Sequence, residues 1–308
     1  MTLSSAITDF LEYLEIERNT SQKTIENYDH YLKRFLDFAG DISPTAIDLS
    51  LIRKYRLHLG RWTDPKTKQP LKRITQNYFM IALRAFLRYL ARQDVKTLSP
   101  EKVELGEAEA RPLKVLDEAA LKSLLEAPDI TDKSGTRDKA ILELLFSTGL
   151  RVSEMASLNR DSINLSRREF SVVGKGQKER IVFLSDSAAD CLERYLDARK
   201  DTFKPLFIRF QGKVDLADNG AAMRLTPRSI EKSIQKYALL AGLPSNTTPH
   251  VLRHSFATDM LSQGVDIRIL QEFLGHKSIT ATQIYAHVTS KKLREIHRQF
   301  HGGQHLKK

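Results

Sequence analysis

The sequence predicts a mainly α-helical protein of two domains, with one small antiparallel β-hairpin or sheet in the second domain. Three observations lead to this expectation. Apolar residues recur at helical spacing along most of the chain, a polar stretch with two prolines interrupts them near residue 100, and one pair of β-rich runs flanks a glycine-bearing turn. A length of 308 residues also exceeds the usual size of a single domain.

Residues 1–97 are predicted to form a helical domain. Four stretches carry an apolar stripe with Lys or Arg opposite it: SSAITDFLEYLEIER, SQKTIENYDHYLKRFLDFAG, LSLIRKYRLHLGRW and RITQNYFMIALRAFLRYLARQ. The stretch 63–73 contains two prolines and four basic residues, which is typical of an exposed loop. Its charges suit loop solubility about as well as contact with a polyanion.

The helical patterning fades in TLSPEKVELGEAEARP, which is polar and acidic. Such composition is typical of a linker, so we place a linker at 98–112 and a second domain at 113–308.

The second domain is predicted to begin with a helix, EAALKSLLEAP, capped by Asp117. A buried helix follows in DKAILELLFSTG and ends at Gly149. The run EFSVVGKGQKERIVFL then predicts a β-hairpin. The remaining helices are expected at 186–200, 227–241, 250–262, 266–274, 279–286 and 290–299.

Composition narrows the classes of function. A formal charge of +11 and a pI near 9.6 favour a polyanionic partner such as nucleic acid, and the few aromatic residues show no RNA-binding signature, which favours duplex DNA. No secretion signal is recognisable and no apolar run approaches the ~20 residues that a bilayer requires, so we expect a cytoplasmic protein without membrane contact. The one cysteine, Cys191, excludes an internal disulfide and is expected to be inert.

The stretch TPHVLRHSFATDML raises a question of charge. Pro249 to Ser262 is a plausible helix, in which an apolar arc is formed by Leu252, Phe256, Ala257, Met260 and Leu261. Arg253 falls in the middle of this arc, with His250 one turn earlier and His254 at the edge. An inward guanidinium is costly to desolvate unless an anion meets it.

Four local features of the second domain could carry chemistry. They are TGLRVSE with Arg151, GKGQK with Lys175, HVLRH with His250 and Arg253, and LGHKSITATQIYAHV with His276 and Tyr285. Each also has a simpler interpretation: Arg151 could pair with nearby Glu154, Lys175 could be a solvated turn residue, His276 could cap a helix and Tyr285 could belong to the core. For His254 and His287 we keep the structural interpretation.

Together these residues favour phosphoryl transfer without a metal. Two guanidiniums match the non-bridging oxygens of a phosphate, and their charge does not titrate away. The sequence lacks carboxylates spaced for two metal ions, a phosphate-binding P-loop and a Cys-His zinc spacing. Such a reaction needs fixed cations and a protein nucleophile, for which Tyr285 is the candidate.

The four motifs resemble those of the tyrosine site-specific recombinases, and within them the Xer-type and closely related integrase branch. The boxes TGLRVSE, GKGQKER, HVLRHSFAT and LQEFLGHKSITATQIYAHV occur in the order and spacing of that family, behind a helical core-binding domain carrying TSQKTIENY. The resemblance implies that the catalytic domain holds six site residues. Arg151 and Arg253 would bind the phosphate, Lys175 would protonate the leaving 5′ oxygen, His250 would be an acid/base partner, His276 a donor and Tyr285 the nucleophile.

The resemblance also implies a reaction. Tyr285 would form a 3′-phosphotyrosine, and two rounds of strand exchange would proceed through a Holliday junction, without ATP, metal or other cofactor. The partners would be duplex DNA with a specific site and further subunits, as a homotetramer on two sites or a heterotetramer with a paralogous recombinase. The terminal segment TSKKLREIHRQFHGG would dock on a neighbour, or simply close its own domain.

Several functions remain open at this stage. We favour resolution of chromosome or plasmid dimers over integration of a mobile element, although 63–73 and 207–229 look longer than in compact Xer proteins. A type IB topoisomerase-like relaxing enzyme is less favoured, because the overall layout resembles that of recombinases more. A catalytically silent DNA-binding protein is less favoured, because every motif is filled.

Overall fold

The structure is a computed structural model in which residues 1–65, 67–107, 114–174, 179–212 and 218–275 are described. The chain divides into two compact units, Met1–Arg111 and Pro112–Lys308. Both units are mainly helical, and the described residues of the second also form a three-stranded antiparallel sheet. The predicted fold class is confirmed.

The first unit contains the four helices that the apolar stripes predict. They are α1 (Leu3–Ile16), α2 (Gln22–Ala39), α3 (Leu49–Arg61) and α4 (Arg73–Arg92). Thr2 and Asp48 cap α1 and α3 by accepting backbone amides of the first turn, which satisfies donors that a helix start leaves unpaired. Aromatic rings dominate the core, where Phe10 meets Phe86 edge to face at 5.7 Å between centroids.

The chain beyond α4 packs on the first unit. Val103 is fully buried in its core, and Arg84 donates from Nε to the Val103 carbonyl at 2.9 Å. The side chain of Asn77 exchanges two hydrogen bonds with the backbone of Gly106, at 2.7 and 3.0 Å. Part of the segment that its composition predicts to be a linker is therefore held against α4 by side-chain contacts to its backbone.

The second unit is built around one buried helix. Its described helices are α5 (Glu118–Glu126), α6 (Lys133–Thr148), α7 (Val152–Ser157), α8 (Asp186–Asp197), α9 (Pro227–Leu240), α10 (Pro249–Ser262) and α11 (Ile267–Leu274). Most residues of α6 are buried, and it packs against α8 and α10. Asp117 caps α5 as predicted, through the amide of Ala120.

Three details differ from the sequence expectations. α6 begins five residues before Asp138, the first residue of the predicted helix. Asp132 accepts hydrogen bonds from the amides of Ser134 and Gly135 and so supports an extra polar turn. The short helix α7 was not predicted. The helices expected at 279–286 and 290–299 lie outside the described residues.

The sheet comprises β1 (Ile163–Asn164), β2 (Glu169–Val173) and β3 (Glu179–Phe183), in that order. β2 and β3 form the predicted hairpin, with Phe170 opposite Val182 and Val172 opposite Arg180. These four residues point to one face of the sheet, since side chains alternate along a strand. β1 was missed because two residues are too few to show alternation.

α10 lies between two clusters of apolar side chains. Leu252 belongs to the main core, whereas Phe256, Ala257 and Leu261 pack against Leu270 and Leu274 of α11. Residues outside the predicted arc are buried too, including Val251 and Ser255. α10 is thus enclosed on most sides, and Arg253 is only 5% exposed, in agreement with its place in the apolar arc.

Candidate active site

The C-terminal end of α6 fixes the first part of the site. Gly149 adopts a left-handed conformation with φ +60°, and a Cβ there would lie 2.5 Å from Cδ1 of Phe256. Only glycine satisfies both conditions, so the chain can turn sharply against α10. Arg151 follows two residues later at the N-cap position of α7, which keeps it within about 7 Å of Gly149 along the backbone.

Arg151 contacts the acidic residue that its sequence neighbourhood offers. Its Nη1 donates to Oε1 of Glu154 at 3.0 Å, and its backbone amide donates to Oε2 at 2.9 Å. The Arg151 side chain remains 29% exposed, whereas that of Glu154 is 7% exposed. The ion pair that could explain Arg151 by itself is therefore present, but it leaves part of the guanidinium accessible.

Glu154 also binds a second arginine, from the sheet. Arg180 donates from Nη1 to Oε1 at 3.1 Å and from Nη2 to Oε2 at 2.8 Å, so the carboxylate accepts four hydrogen bonds. Burial by itself raises the pKa of Glu154, but the hydrogen bonds and positive charges of Arg180 and Arg151 outweigh it and hold the pKa below its usual value. Glu154 is thus held as a carboxylate between two guanidiniums.

Sequence reasoning missed Arg180, although a signal was present. Arg180 shares the buried face of β3 with Val182, and its side chain is 9% exposed. A charged residue at an inward strand position needs a partner. Its Nε donates to the carbonyl of Phe273 at 3.0 Å, in addition to the contacts with Glu154.

Arg253 connects the ends of two helices. Its Nη1 donates to the carbonyl of Gly149 at 2.5 Å and its Nη2 to the carbonyl of Leu274 at 2.6 Å. Gly149 directly follows α6, and Leu274 is the last residue of α11. The C-terminal end of a helix leaves carbonyl acceptors unpaired and carries partial negative charge. Among the described residues, backbone carbonyls are therefore the acceptors for the buried guanidinium of Arg253. The hydrogen bond to Gly149 also brings Arg253 close to the segment that carries Arg151.

The two histidines of α10 differ in exposure. His250 is exposed in the first turn, and His254 is half-buried one turn later. Burial lowers the pKa of His254, and the neighbouring charges of His250 and Arg253 lower it further. His254 is thus biased toward the neutral form.

The other candidate residues, Lys175, His276 and Tyr285, lie outside the described residues, as does His287. The elements next to them in sequence are described. β2 ends at Val173 and β3 begins at Glu179, on either side of Lys175. α11 ends at Leu274, and Gly275 after it has φ +61°.

Other parts of the described chain offer little further chemistry. No group of three or more His, Cys, Asp or Glu among the described residues could hold a metal ion. Burial raises the pKa of the Cys191 thiol, which disfavours its reactive form. Within the described ranges, no helix has the length and apolar character needed to cross a membrane.

A basic cleft lies between α3 and α4 of the first unit. It has a volume of about 400 Å³, and Arg56, Arg61 and Arg73 are among its lining residues, whereas no described lining residue is acidic. A buried nitrogen of Arg56 has no hydrogen-bond partner within the described chain. This concentration of guanidiniums without carboxylates favours an anion.

The comparison with known sequences covers both units. Residues 114–292 match the phage integrase family and residues 7–94 match the phage integrase N-terminal SAM-like domain. The chain is 35% identical over 304 residues to tyrosine recombinase XerC of Pelotomaculum thermopropionicum, covering 96% of this chain and 97% of that protein. It is 34% identical over 306 residues to tyrosine recombinase XerD of Staphylococcus epidermidis, covering 97% and 99%.

Solved structures share the fold. The crystal structure of XerA recombinase is 30% identical, with a TM-score of 0.52 over 96% of this chain and 98% of that one. The Tn1549 transposon integrase in complex with transposon right end DNA is 21% identical, with a TM-score of 0.74 over 98% and 100%; at that identity the likeness concerns the fold alone. On its sequence relatives over nearly the full length, the chain belongs to the phage integrase family and is a site-specific tyrosine recombinase, an enzyme that cuts and rejoins DNA.

Proposed function

We propose that Arg151 and Arg253 bind the scissile phosphate of a DNA recombination site. The observation that carries this proposal is the contact of Arg253 with Gly149, which joins two arginines from motifs about a hundred positions apart at one turn of the chain. Guanidiniums present paired donors to phosphate oxygens and keep their charge at any physiological pH. Both would stabilise the extra negative charge of the pentavalent transition state.

The remaining motif residues complete the chemistry by family resemblance. The phenolic oxygen of Tyr285 attacks phosphorus and gives up its proton, a 3′-phosphotyrosine bond forms, and the bond to the 5′ oxygen breaks. Lys175 donates a proton to that oxygen, which leaves as a hydroxyl. His250, as the acid/base partner, accepts the proton of Tyr285, and His276 is a donor to the phosphate. Attack by a 5′ hydroxyl of the partner duplex reverses these steps.

We infer that the biological role is resolution of chromosome or plasmid dimers, by four subunits on two sites, either all alike or paired with a paralogous recombinase. The named sequence relatives that support this role are XerC and XerD proteins. Integration of a mobile element uses the same chemistry. A plasmid carrying two copies of the host's replication-terminus site tests the choice, because only a dimer-resolving enzyme should delete the interval between them.

The basic cleft of the first unit is proposed to contact the DNA backbone. Each arginine that neutralises a phosphate releases counterions, so Arg61→Ala and Arg73→Ala should each weaken binding to any DNA and reduce the slope of log affinity against log salt by about 1. Arg18→Ala, which removes an exposed arginine away from the cleft lining, is the matched control. An unchanged slope in both cleft variants would exclude the cleft from the DNA interface.

The experiment that tests the proposed chemistry uses a suicide substrate, in which a nick lets the cleaved end diffuse away and traps the covalent complex. Wild-type protein should give a covalent adduct on a denaturing gel, and Tyr285→Phe should give none while its DNA affinity stays nearly unchanged, because the hydroxyl performs chemistry and adds little contact area. An adduct formed by Tyr285→Phe would remove Tyr285 from this role.

A further inference from the structure

Three segments that carry or adjoin the site residues meet at one side chain, that of Arg180. It belongs to β3, which follows the turn containing Lys175. It donates two hydrogen bonds to Glu154 of α7 and one to the carbonyl of Phe273 near the end of α11. Each of its three side-chain nitrogens therefore has a defined acceptor.

The fit between Arg180 and α11 is close. A Cβ on Gly275 would lie 3.0 Å from Nη1 and 3.1 Å from Cδ of Arg180, so the arginine lies directly against this glycine. Gly275 immediately precedes His276 in the chain. A shift of Arg180 would therefore reach the start of the segment that bears His276 and Tyr285, as well as α7.

The charges explain what Arg180 does for Arg151. Glu154 takes the buried Arg180 as its two-pronged partner, whereas Arg151 gives it only Nη1 and the backbone amide. Without Arg180, the buried carboxylate would have Arg151 as its one cationic partner among the described residues. The Arg151 guanidinium would then be drawn into a closed pair with Glu154, and its charge would be directed away from a substrate phosphate.

We propose that Arg180 is a positioning residue for strand cleavage: by saturating Glu154 and anchoring the end of α11, it holds the Arg151 guanidinium open toward the scissile phosphate. The proposal rests on the phosphate-binding role of Arg151. It assigns to Arg180 no contact with DNA and no proton transfer. Its loss should therefore slow the cleavage step and leave DNA affinity unchanged.

Two substitutions test this with a matched control. Arg180→Lys keeps the charge but cannot reach both Glu154 oxygens and the Phe273 carbonyl together. Arg137 provides the control, since it is also buried, paired to a carboxylate and bonded to a backbone carbonyl, that of Ile208. It lies on α6 twelve residues before Gly149, about 18 Å away along the helix.

Cleavage of the suicide substrate is measured at saturating DNA, together with DNA affinity and the melting temperature. Arg180→Lys should lower the cleavage rate by about tenfold to 10²-fold, as small misplacements of a catalytic group do, with unchanged DNA affinity. Arg137→Lys should affect the melting temperature but not the cleavage rate. In an Arg151→Lys background, Arg180→Lys should add little further loss, because both changes would act through the same guanidinium.

A second variant, Arg180→Gln, gives a signature that a purely structural role would not produce. Among the described residues, the charged groups facing Glu154 are Arg180 and Arg151, so removing one charge raises the pKa of Glu154 toward its usual range. The fall of the cleavage rate on the acid side should then occur at higher pH in Arg180→Gln than in wild type, and Arg137→Gln should leave it in place.

Three results would overturn the proposal: wild-type cleavage and pH profile in the Arg180 variants, an equal loss in the Arg137 variants, or losses that multiply fully in the Arg151→Lys background. A wild-type rate from Arg151→Ala would instead overturn the phosphate-binding role of Arg151, and with it the part assigned to Arg180. An inactive Arg151→Ala beside a fully active Arg180→Lys would reject Arg180 alone.

Discussion

Replacing Glu154 with Gln should destabilise the second unit strongly. Glu154 is 7% exposed and accepts four hydrogen bonds of 2.8 to 3.1 Å from two arginines. Gln keeps the shape but turns its amide donors toward two of these four donors. Two charge-assisted hydrogen bonds are worth about 3–6 kcal/mol together, and removing one partner of a buried ion pair costs about 3–5 kcal/mol. We therefore expect a loss of about 4 kcal/mol in the free energy of unfolding.

Calorimetry of the full chain measures this loss in the transition of the second unit. For a domain of this size it corresponds to a fall of about 8–16 °C in melting temperature. Glu143→Gln is the control, because Glu143 is equally buried but forms an ion pair with one residue, Lys139; its loss should be smaller.

The same pair of proteins has a defined pH dependence. The folded-state pKa of Glu154 is lowered, so its stabilisation is complete above the unfolded pKa of about 4.3 and disappears as the pH falls through the folded value. The difference between wild type and Glu154→Gln should be full at pH 7 and should shrink only below about pH 4. A melting temperature for Glu154→Gln within about 2 °C of wild type at pH 7 would refute the reasoning, as would a difference that persists undiminished in acid.

Three further predictions concern the site. Gly149→Ala should lower the free energy of unfolding, measured in urea, by at least about 2 kcal/mol, because the new methyl group clashes with Phe256 and alanine is strained in a left-handed conformation. Gly242→Ala, at φ +69° with open space around it, should lose only the free energy that the left-handed conformation costs. Lys175→Ala should fail on ordinary DNA but cleave a 5′-phosphorothiolate substrate, whose leaving thiolate needs no proton, whereas Arg253→Ala should recover much less; failure of sulfur rescue in both would reject the general acid. Cleavage should be unchanged by EDTA, and activity restored only by magnesium would reject metal-free chemistry.

Much of the fold follows from local patterning. The four helices of the first unit begin and end within two residues of their apolar stripes, because helical periodicity and capping residues are both encoded locally. α7 and β1 were missed because six and two residues are too few to show a period. The extra turn of α6 is polar and contains Gly135, so only the cap at Asp132 could have indicated it.

In the candidate site, too, the features that local sequence encodes could be predicted, and those that depend on tertiary packing could not. The burial of Arg253 could be predicted, since its place in an apolar arc depends only on its own helix. Its partners could not, because the carbonyl of Gly149 is 104 positions away and backbone acceptors carry no sequence signature. Glu154 was visible only as a neighbour of Arg151. Its second partner, Arg180, belongs to β3, and only tertiary packing brings β3 next to α7.

Because Arg253 donates hydrogen bonds to the ends of both α6 and α11, the position of α11 is coupled to the hydrogen bonding of this arginine. If α11 moves away, the Leu274 carbonyl leaves Nη2 of Arg253. A buried donor without its acceptor costs about 1–3 kcal/mol, and a charged donor costs more. Displacing α11 would also remove the apolar contacts of Leu270 and Leu274, so the displaced form would hold fewer than roughly one molecule in six. A ligand that engages Arg253 more strongly in one form than in the other would shift this ratio by its difference in affinity, and would thereby move the end of α11 without touching it.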